Sequence, residues 1–406
     1  MNRDTVPLEE AMSAIIDYRG KTPPKSDRGT WLVTAKVVKN GFIAEEPKEY
    51  IPSEDYDTWM RRGLPEIGDV LVTTEAPMGQ VAAIRSTAEI ALAQRLILLR
   101  ADSTVLDQDF LLYSMQTPAV QNQLRARATG TTVLGIKQSE LRKVLLPAPA
   151  LRIQQSVGRA LRAFDDLIEN NRRRIGILEE MARLLYREWF VHFRYPGHED
   201  VKLVDSELGP IPEGWEVGGL TELCSLVMGQ SPKSEFYNED GEGLPFHQGV
   251  TDFGFRYPTH RKWTTVDKRV AEAGDVLFSV RAPVGRINVA PDRMVVGRGL
   301  SAIRAHDGRQ ESMLLQLKDQ FAVEDSIGGG TIFNAVTKAD MERIKLLRPT
   351  GPLADQFQQA VVPMASLGQN LTQQNRVLRE ARDLLLPRLV SGELDASDLD
   401  LDGLLA

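Results

Sequence analysis

The hydrophobic pattern of the chain is clearest between Leu151 and Phe190, where apolar residues recur at alternating steps of four and three. This spacing predicts a long helix with a narrow apolar seam on one side and charged residues on the others. A helix with so narrow a seam needs a second helix to cover it. The predicted seam contains Val157, Leu161, Phe164, Ile168, Asn171, Ile175, Leu178 and Leu185.

A second helix of the same kind is predicted from Gly351 to Leu389, with Pro363 indicating a kink or a break near its beginning. Asn171 and Asn375 are isolated polar residues, which lower the stability of a helix pair but can fix its register. The pattern favours a paired spacer over two ordinary bundle helices. The second seam contains Phe357, Val361, Met364, Leu371, Leu378 and Leu385.

The rest of the chain is duplicated. Gly68 to Ile84 and Gly274 to Ala290 both begin with Gly-Asp-Val-Leu and continue to Ala-Pro-x-Gly at the same interval. Gly130 to Pro147 matches Gly330 to Pro349, and each of these segments leads into one of the long helices. The order is therefore domain, helix, domain, helix, which suggests a pseudo-twofold arrangement within one chain.

Within each copy, short alternating or β-branched runs are broken by Gly, Pro and Asp, and amphipathic segments predict helices. The expected fold class is α+β, with two mixed α/β domains in tandem and two long helices paired as an antiparallel coiled coil. The boundaries follow: a first domain at 1–148, a central helix at 149–192, an extended connector at 193–215, a second domain at 216–350, a C-terminal helix at 351–391 and an acidic tail at 392–406.

Charge and composition narrow the possible functions only slightly. The net charge of −7 argues mildly against a nucleic-acid partner, but part of the acidity is concentrated in the tail after Ser391. The single cysteine, Cys224, excludes internal disulfides, and no run approaches the length of a membrane span. We therefore expect a cytoplasmic protein without a membrane partner.

The motifs of common catalytic sites are absent from the sequence, including the phosphate-binding loop, the nucleophile elbow and the His-Glu-x-x-His zinc motif. Asp69 and Asp275 recur in the two copies, but each lies in a Gly-Asp-Val segment, where a role in a turn is favoured over metal binding. The sequence predicts no catalytic residue, no metal site and no cofactor in this chain.

Each copy instead carries polar and basic loops. Arg, Lys and Gln side chains can contact base edges in the major groove, and Lys and Arg can neutralise phosphates. Two similar domains held by a helical spacer suit two separated half-sites on duplex DNA. The candidate DNA-binding residues are Lys21, Lys25, Lys36, Arg61 and Arg62 in the first copy, and Lys233, Gln248, Arg256, Arg261, Lys262 and Arg281 in the second.

With these features the chain resembles the specificity (S) subunits of type I restriction-modification systems. The resemblance covers almost the whole chain. It is carried by the repeated Gly-Asp-Val-Leu and Ala-Pro-x-Gly, by LLYREWFVHFR at Leu184 to Arg194, by LGPIPEGW at Leu208 to Trp215 and by LLLPRLVSGEL at Leu384 to Leu394.

The resemblance implies two target-recognition domains, each reading one half of a bipartite, asymmetric site in double-stranded DNA. It further implies that the helices fix the spacing of the halves and dock two methyltransferase (M) subunits. Those subunits would bind S-adenosylmethionine and methylate adenine, and restriction/translocase (R) subunits can join the complex. The S chain itself would be non-catalytic.

Two other classes of function stay open at this point. One is a freestanding bipartite DNA-binding protein, and the other is a coiled-coil scaffold that does not bind DNA. Sequence-selective, salt-dependent DNA binding by the assembled complex would exclude the scaffold.

Overall fold

The structure is a computed structural model that describes residues 5–18, 20–86, 88–322 and 335–395, together with the backbone of two short strands at Ser326–Ile327 and Thr331–Ile332. Most of the predicted acidic tail therefore lies outside the described residues. Contacts within the chain define two compact units. The first combines residues 5–172 with 372–395, and the second is Arg173–Leu371.

Both long helices are present. The central helix runs from Leu151 to Tyr186 and continues through a π-helical turn at Arg187–Val191, and the C-terminal helix runs from Gly351 to Ser391. Pro363 does not break the C-terminal helix, so that part of the prediction is wrong. Pro363 and Gln359 are both exposed. The Gln359 carbonyl, which the proline leaves without its helical donor, can therefore be hydrated.

In the first unit, the beginning of the central helix packs antiparallel to the end of the C-terminal helix. Asp165 pairs with Arg382, and Asn171 Nδ2 donates to Asn375 Oδ1 at 3.1 Å. The Asn375 amide donates in turn to the Ile168 carbonyl at 3.2 Å. These buried amides are satisfied by each other and by backbone, which makes their register specific.

In the second unit, the end of the central helix packs antiparallel to the beginning of the C-terminal helix. The contact is aromatic: Phe357 is fully buried against Tyr186, Trp189 and Phe190, with ring centroids 4.7–6.1 Å apart. All predicted seam residues are buried or half-buried in these two packings.

The first domain contains a four-stranded antiparallel sheet, with strands in the order Met12–Asp17, Leu96–Ala101, Val70–Thr73, Val81–Ala83. A second, three-stranded sheet has the order Glu49–Ile51, Thr30–Val33, Ile90–Leu92, with the last pair parallel. A small ladder joins Val38–Lys39 to Phe42–Ile43. The helices and 3-10 turns are Leu8–Ala11, Ser53–Asp55, Tyr56–Trp59, Gln108–Gln116, Pro118–Ala126 and Gln138–Leu141.

The second domain repeats the four-stranded sheet with the same connectivity, in the order Cys224–Met228, Leu300–Ala305, Val276–Ser279, Ile287–Val289. Its second sheet has five strands instead of three, in the order Tyr237–Asn238, Trp263–Thr264, Leu244–His247, Met294–Val296, Val270–Ala271. Its helices and 3-10 turns are Leu220–Leu223, Ser234–Phe236, Val250–Asp252, Gln310–Gln320 and Lys338–Glu342.

In each domain, a strand near the beginning pairs with a strand near the end. Thr5–Pro7 pairs with Leu145–Pro147 in the first domain, and Glu216–Gly219 pairs with Lys345–Arg348 in the second. Because the second strand of each ladder directly precedes a long helix, each domain is anchored at the start of the helix that follows it.

The predicted extended connector is more structured than its proline and glycine content suggested. Leu203–Val204 pairs with Ile211–Pro212, and Tyr195 and Trp215 are buried in the aromatic cluster around Phe357. The connector is held because it supplies large apolar rings to the second unit, a property that its composition does not reveal.

Candidate nucleic-acid interface

A buried ion pair supports the repeated segment in each domain. Asp69 is 2 % exposed and accepts from Arg100 at 2.7 and 2.8 Å, and Asp275 is 3 % exposed and accepts from Arg304 at 2.6 and 2.8 Å. Each carboxylate also accepts a backbone N–H from three residues earlier, at 2.7 and 2.8 Å. Both aspartates therefore hold a turn, as their position after glycine predicts.

The turn after the strand that contains Val-Leu also has the same hydrogen bonds in both domains. The Thr73 hydroxyl donates to the Pro77 carbonyl at 2.5 Å, and the Ser279 hydroxyl donates to the Pro283 carbonyl at 2.6 Å. Each hydroxyl accepts a backbone N–H at 2.9 Å, and the Ala-Pro peptide is cis in both copies. The turn that follows the strand therefore has the same hydrogen bonds and the same cis peptide in the two domains, although Ala76 has a positive φ of 48° and the matched Ala282 does not.

Two of the first-domain candidates share one carboxylate. Lys25 and Lys36 both pair with Glu49, Lys36 at 3.2 Å, and their side chains remain 57 % and 67 % exposed. The hydrogen bond from Lys25 lowers the pKa of Glu49, with a further contribution from Lys36. The two lysines can therefore reach an external phosphate, but only in competition with Glu49.

The other first-domain candidates occupy different places. Arg61 and Arg62 are exposed in the turn after a short helix, and Arg62 donates to the Asp17 carbonyl. Lys21 is exposed at the edge of a cavity of about 480 Å³. The structure does not bring the five residues into one cluster. The cavity lining includes Lys21, Thr22, Glu75, Gln94, Arg95 and Lys137.

In the second domain, backbone contacts bring several candidates together. Gly299 N–H donates to the Gln248 carbonyl at 2.9 Å, and the Gly299 carbonyl accepts from Val280, the neighbour of Arg281. Phe246 N–H donates to the Lys262 carbonyl at 2.8 Å. Gln248, Lys262 and Arg281 are exposed, so their side chains are available on adjoining loops.

Lys233 and Arg261 are also exposed, with 81 % and 70 % of their side chains accessible. Lys233 lies 3.8 Å from Glu235, and Arg261 pairs with Asp252 at 3.2 Å. Exposed pairs of this kind are weak, so both cations can change partner when DNA approaches.

Arg256 is not available to DNA in this structure. Its side chain is 9 % exposed, donates to both Glu311 oxygens at 2.6 and 2.7 Å, and lies 3.5 Å from Glu179. The two carboxylates raise the pKa of Arg256 despite its burial. The structure corrects the prediction here: Arg256 attaches the domain to the central helix, because Glu179 belongs to that helix and Glu311 to the domain.

Sequence reasoning missed a hydrogen-bonded chain of two histidines and an aspartate. His247 Nε2 lies 2.8 Å from His260 Nδ1, and His260 Nε2 lies 3.2 Å from Asp292. Burial lowers the pKa of His247 to about 4, and the neighbouring His260 adds to the effect. The only sequence signal was that His247 and His260 immediately precede Gln248 and Arg261.

The described residues contain no group of three or more His, Cys, Asp or Glu side chains that could hold a metal ion. Across those same residues, no helix has both the length and the apolar character needed to cross a bilayer. Cys224 is buried, and burial raises the pKa of its thiol to about 12, as expected of a structural cysteine.

This architecture has a counterpart among solved structures. The chain is similar to the S subunit of a type I restriction-modification system from M. genitalium, with 15% sequence identity over 95% of each chain and a TM-score of 0.56. At this identity the likeness concerns the fold alone, which is that of a restriction-modification specificity subunit.

Sequence comparisons identify the family. The Methylase_S family, described as the type I restriction modification DNA specificity domain, matches residues 19–180. The MjaX specificity subunit of Methanocaldococcus jannaschii is 34% identical over an alignment of 304 positions, which covers 71% of this chain and 69% of that protein. The MjaIX specificity subunit of the same organism is 26% identical over an alignment of 384 positions, which covers 92% of this chain and 84% of that one. The chain belongs to the family of type I restriction enzyme specificity subunits.

Proposed function

We propose that this chain is the DNA sequence-recognition subunit of a type I restriction-modification complex, and that its two domains each read one half of a bipartite, asymmetric duplex site. The observation that carries the proposal is a repeated frame, which consists of the four-stranded sheet, the buried Asp–Arg pair and the turn that the two domains share. The Asp69–Arg100 and Asp275–Arg304 pairs support the same turn twice, while the exposed loops around those turns differ in sequence and charge. Equal frames with unequal loops are what two different half-sites require.

The two sets of exposed side chains supply the contacts in this proposal. Lys21, Lys25 and Lys36 belong to the first set, while Gln248, Arg261, Lys262 and Arg281 belong to the second. Lysines are suited to phosphates, and arginine or glutamine can form paired hydrogen bonds with base edges. Arg256 is left out because its charge is already neutralised by Glu311 and Glu179.

The long helices form the spacer and the docking site for partner subunits in this proposal. The central helix exposes Ile177, Met181 and Leu184, which are 60%, 48% and 49% accessible and recur at steps of four and three. This is the spacing of a single apolar stripe on a helix. We assign the stripe to contact with a methyltransferase (M) subunit, two of which would complete the complex, with restriction/translocase (R) subunits in addition.

The chemistry belongs to those partners. S-adenosylmethionine is assigned to the M subunits and no cofactor to this chain, which selects the adenine that is methylated but forms no bond itself. The Asn171–Asn375 contact would fix the register of the helix pair within the first unit.

The proposal is tested by sequencing the methylome of cells that express this chain with its neighbouring methyltransferase, compared with cells that lack the chain. We expect a two-part N6-methyladenine motif only when the chain is present. Changing Arg261 and Lys262 together to alanine should relax one half of that motif and leave the other half unchanged.

Each failure has a distinct meaning in this experiment. A perfectly palindromic motif would contradict the assignment of different half-sites to the two domains. If no motif appears and the chain does not co-purify with the methyltransferase, the scaffold class becomes the better interpretation, and DNA binding without the methyltransferase would favour a freestanding DNA-binding protein.

A further inference from the structure

The two copies of the repeated frame differ in charge at one matched position. Glu75 in the first domain and Arg281 in the second both lie directly before the Ala-Pro of the shared turn, seven residues after the glycine of Gly-Asp-Val-Leu. The backbone pairing around them is equivalent, although Ala76, directly after Glu75, has a positive φ of 48° and Ala282 does not. Glu75 forms an antiparallel bridge with Gly135, and Arg281 forms one with Ala335. A shared frame therefore presents a carboxylate in one domain and a guanidinium in the other.

Glu75 faces the cavity of about 480 Å³ in the first domain. Its side chain is 44% exposed, and Oε1 accepts from Arg95 Nε at 2.8 Å. A carboxylate has about four acceptor positions, so the ion pair leaves capacity for another donor. The cavity is too polar for an apolar ligand and is bordered by three cations, Lys21, Arg95 and Lys137.

Gln94 adds a second polar group to the same cavity. Its side-chain oxygen is buried and has no hydrogen-bond partner in the part of the chain that the structure describes. An unpaired buried acceptor is costly, and a donor from a ligand would remove that cost. The cavity thus combines one unpaired acceptor and one carboxylate with spare acceptor capacity with three cations that suit phosphate.

Arg281 is exposed on the matched turn of the second domain. The position equivalent to Arg95 is Gly299, since Thr74 N–H donates to the Arg95 carbonyl and Val280 N–H donates to the Gly299 carbonyl, each at 2.9 Å. Glycine has no side chain with which to occupy Arg281. Among the described residues the second domain therefore presents an exposed guanidinium with no ion-pair partner, where the first presents a carboxylate held by arginine.

Opposite charges at one position in a common frame select opposite hydrogen-bonding partners. In the major groove, a carboxylate accepts from the exocyclic amine of cytosine, whereas arginine donates to O6 and N7 of guanine. Since the turn keeps its supporting hydrogen bonds and its cis peptide in both domains, we expect the difference in side chain to change the base selected more than the docking of the turn.

We propose that Glu75 and Arg281 are matched specificity-determining residues, Glu75 selecting cytosine in the first half-site and Arg281 selecting guanine in the second. This inference rests on the proposed function, because it assumes that the two domains read DNA. The inference adds to the proposed function the position at which the two domains differ and the base that each domain selects there.

The test uses the complex of the full chain with its methyltransferase, assayed on duplexes in which each base pair of both half-sites is varied in turn. Glu75→Gln and Arg281→Gln are the test variants. Glu54→Gln and Arg343→Gln are matched controls, because each makes the same change at an exposed residue elsewhere in the same domain. We expect Glu75→Gln to lose the preference for cytosine at one position of one half-site, and Arg281→Gln to lose the preference for guanine in the other. The loss should be roughly 5- to 150-fold in relative rate.

A role for Glu75 limited to holding Arg95 predicts a different result. Methylation would then fall by the same factor on all duplexes, and the preferred bases would not change, which overturns the inference. A changed preference in only one domain also overturns it, because the proposal concerns a matched pair. If the wild-type complex shows a two-part motif and both variants retain it, only this inference fails. If the wild-type complex shows no such motif, the proposed function fails as well.

Discussion

The two domains share a buried frame but differ in what they build around it. The four-stranded sheets have the same order, and the Asp-Arg pair and the hydroxyl-supported turn recur at nearly equal distances. The second sheet has three strands in one domain and five in the other. The packing of the frame is therefore the same in both domains while the surface differs. This is possible because the polar groups of the frame bond to one another and need no partner from the loops.

The ion pairs that join each domain to the central helix also differ. In the first domain Asp109 pairs with Arg85 at 2.9 Å and with Arg162 of the central helix at 3.1 Å, in partly exposed surroundings. In the second domain the corresponding acid is Glu311, which binds the buried Arg256. Glu179 of the central helix also accepts from Lys318 at 2.9 Å. The ion pairs of the second attachment centre on a buried arginine, whereas Arg162 in the first is 45% exposed and lies beside a separate, partly buried contact, from the Tyr113 hydroxyl to Asp165 at 2.8 Å.

The largest predicted effect tests whether the two attachments to the central helix differ in their contribution to stability. Arg256→Ala should lower the free energy of unfolding of the second unit by about 3–4 kcal/mol, because it leaves Glu311 without its buried counter-charge and leaves Glu179 with Lys318 alone. The matched change Arg162→Ala removes a cation that is 45% exposed and should cost about 0–1 kcal/mol.

Both variants can be measured by urea titration of the full chain, with hydrogen exchange used to assign each loss to a unit. Equal losses in the two variants would mean that burial of the Arg256 network does not distinguish the two attachments.

A second prediction compares the contributions of the two buried Asp–Arg pairs to stability. Asp69→Asn removes the buried carboxylate from Arg100, which keeps only the 65% exposed Glu66 at 2.6 Å, and should cost about 2–3 kcal/mol, somewhat less than for a fully buried pair. Asp275→Asn should cost about 1–2 kcal/mol, because Arg304 is 48% exposed whereas Arg100 is 26% exposed, and water can replace more of the lost interaction. Hydrogen exchange in the strands Val70–Thr73 and Val276–Ser279 reports each loss. A larger cost at Asp275 would contradict this ranking by exposure.

The last prediction depends on pH and concerns only the second domain. Because the folded-state pKa of His247 is lowered to about 4, the unfolded chain takes up a proton near pH 6.5 that the folded chain does not. Stability should therefore fall as pH falls through this window, by about 1–2 kcal/mol between pH 7 and pH 5. His260, Asp252 and Asp292 are the titratable neighbours of His247.

His247→Gln should remove this part of the pH dependence, while His306→Gln, at an exposed position of the same domain, should retain it. The measurement is the midpoint of urea unfolding at each pH. An unchanged slope in His247→Gln would show that another group carries the pH dependence.

The helices and the repeat could be predicted because their signals are local and periodic. The seam spacing gave the central helix to within a few residues, and the Gly-Asp-Val-Leu repeat located the common turn. The contact between Asn171 and Asn375 could not be predicted, since it depends on the register of two segments about two hundred residues apart. Both residues were recognised as interruptions of a seam, but the pattern did not indicate that they meet.

The candidate interface was harder to predict because exposure and charge neutralisation are properties of the folded chain. Arg256 and Arg261 look equivalent in sequence, but one is buried between two glutamates and the other is largely exposed. Glu75 was not among the predicted residues because only basic and amide side chains were expected to contact DNA, although its alignment with Arg281 is visible in the repeat. Base recognition needs acceptors as well as donors, so acidic loop residues are also candidates.

The packing of the C-terminal helix has a consequence for the order of folding during synthesis. Leu386, Leu389 and Val390 are buried beside Val157 and Leu161 in the core of the first unit, whereas the second unit is formed by Arg173–Leu371 alone. The portion of the polypeptide that leaves the ribosome first must therefore wait for the last turns of the chain before its core can close, although domains generally fold in order from the N-terminus. A transcript shortened by a few dozen codons would leave the second unit whole and the first one with an uncovered apolar face.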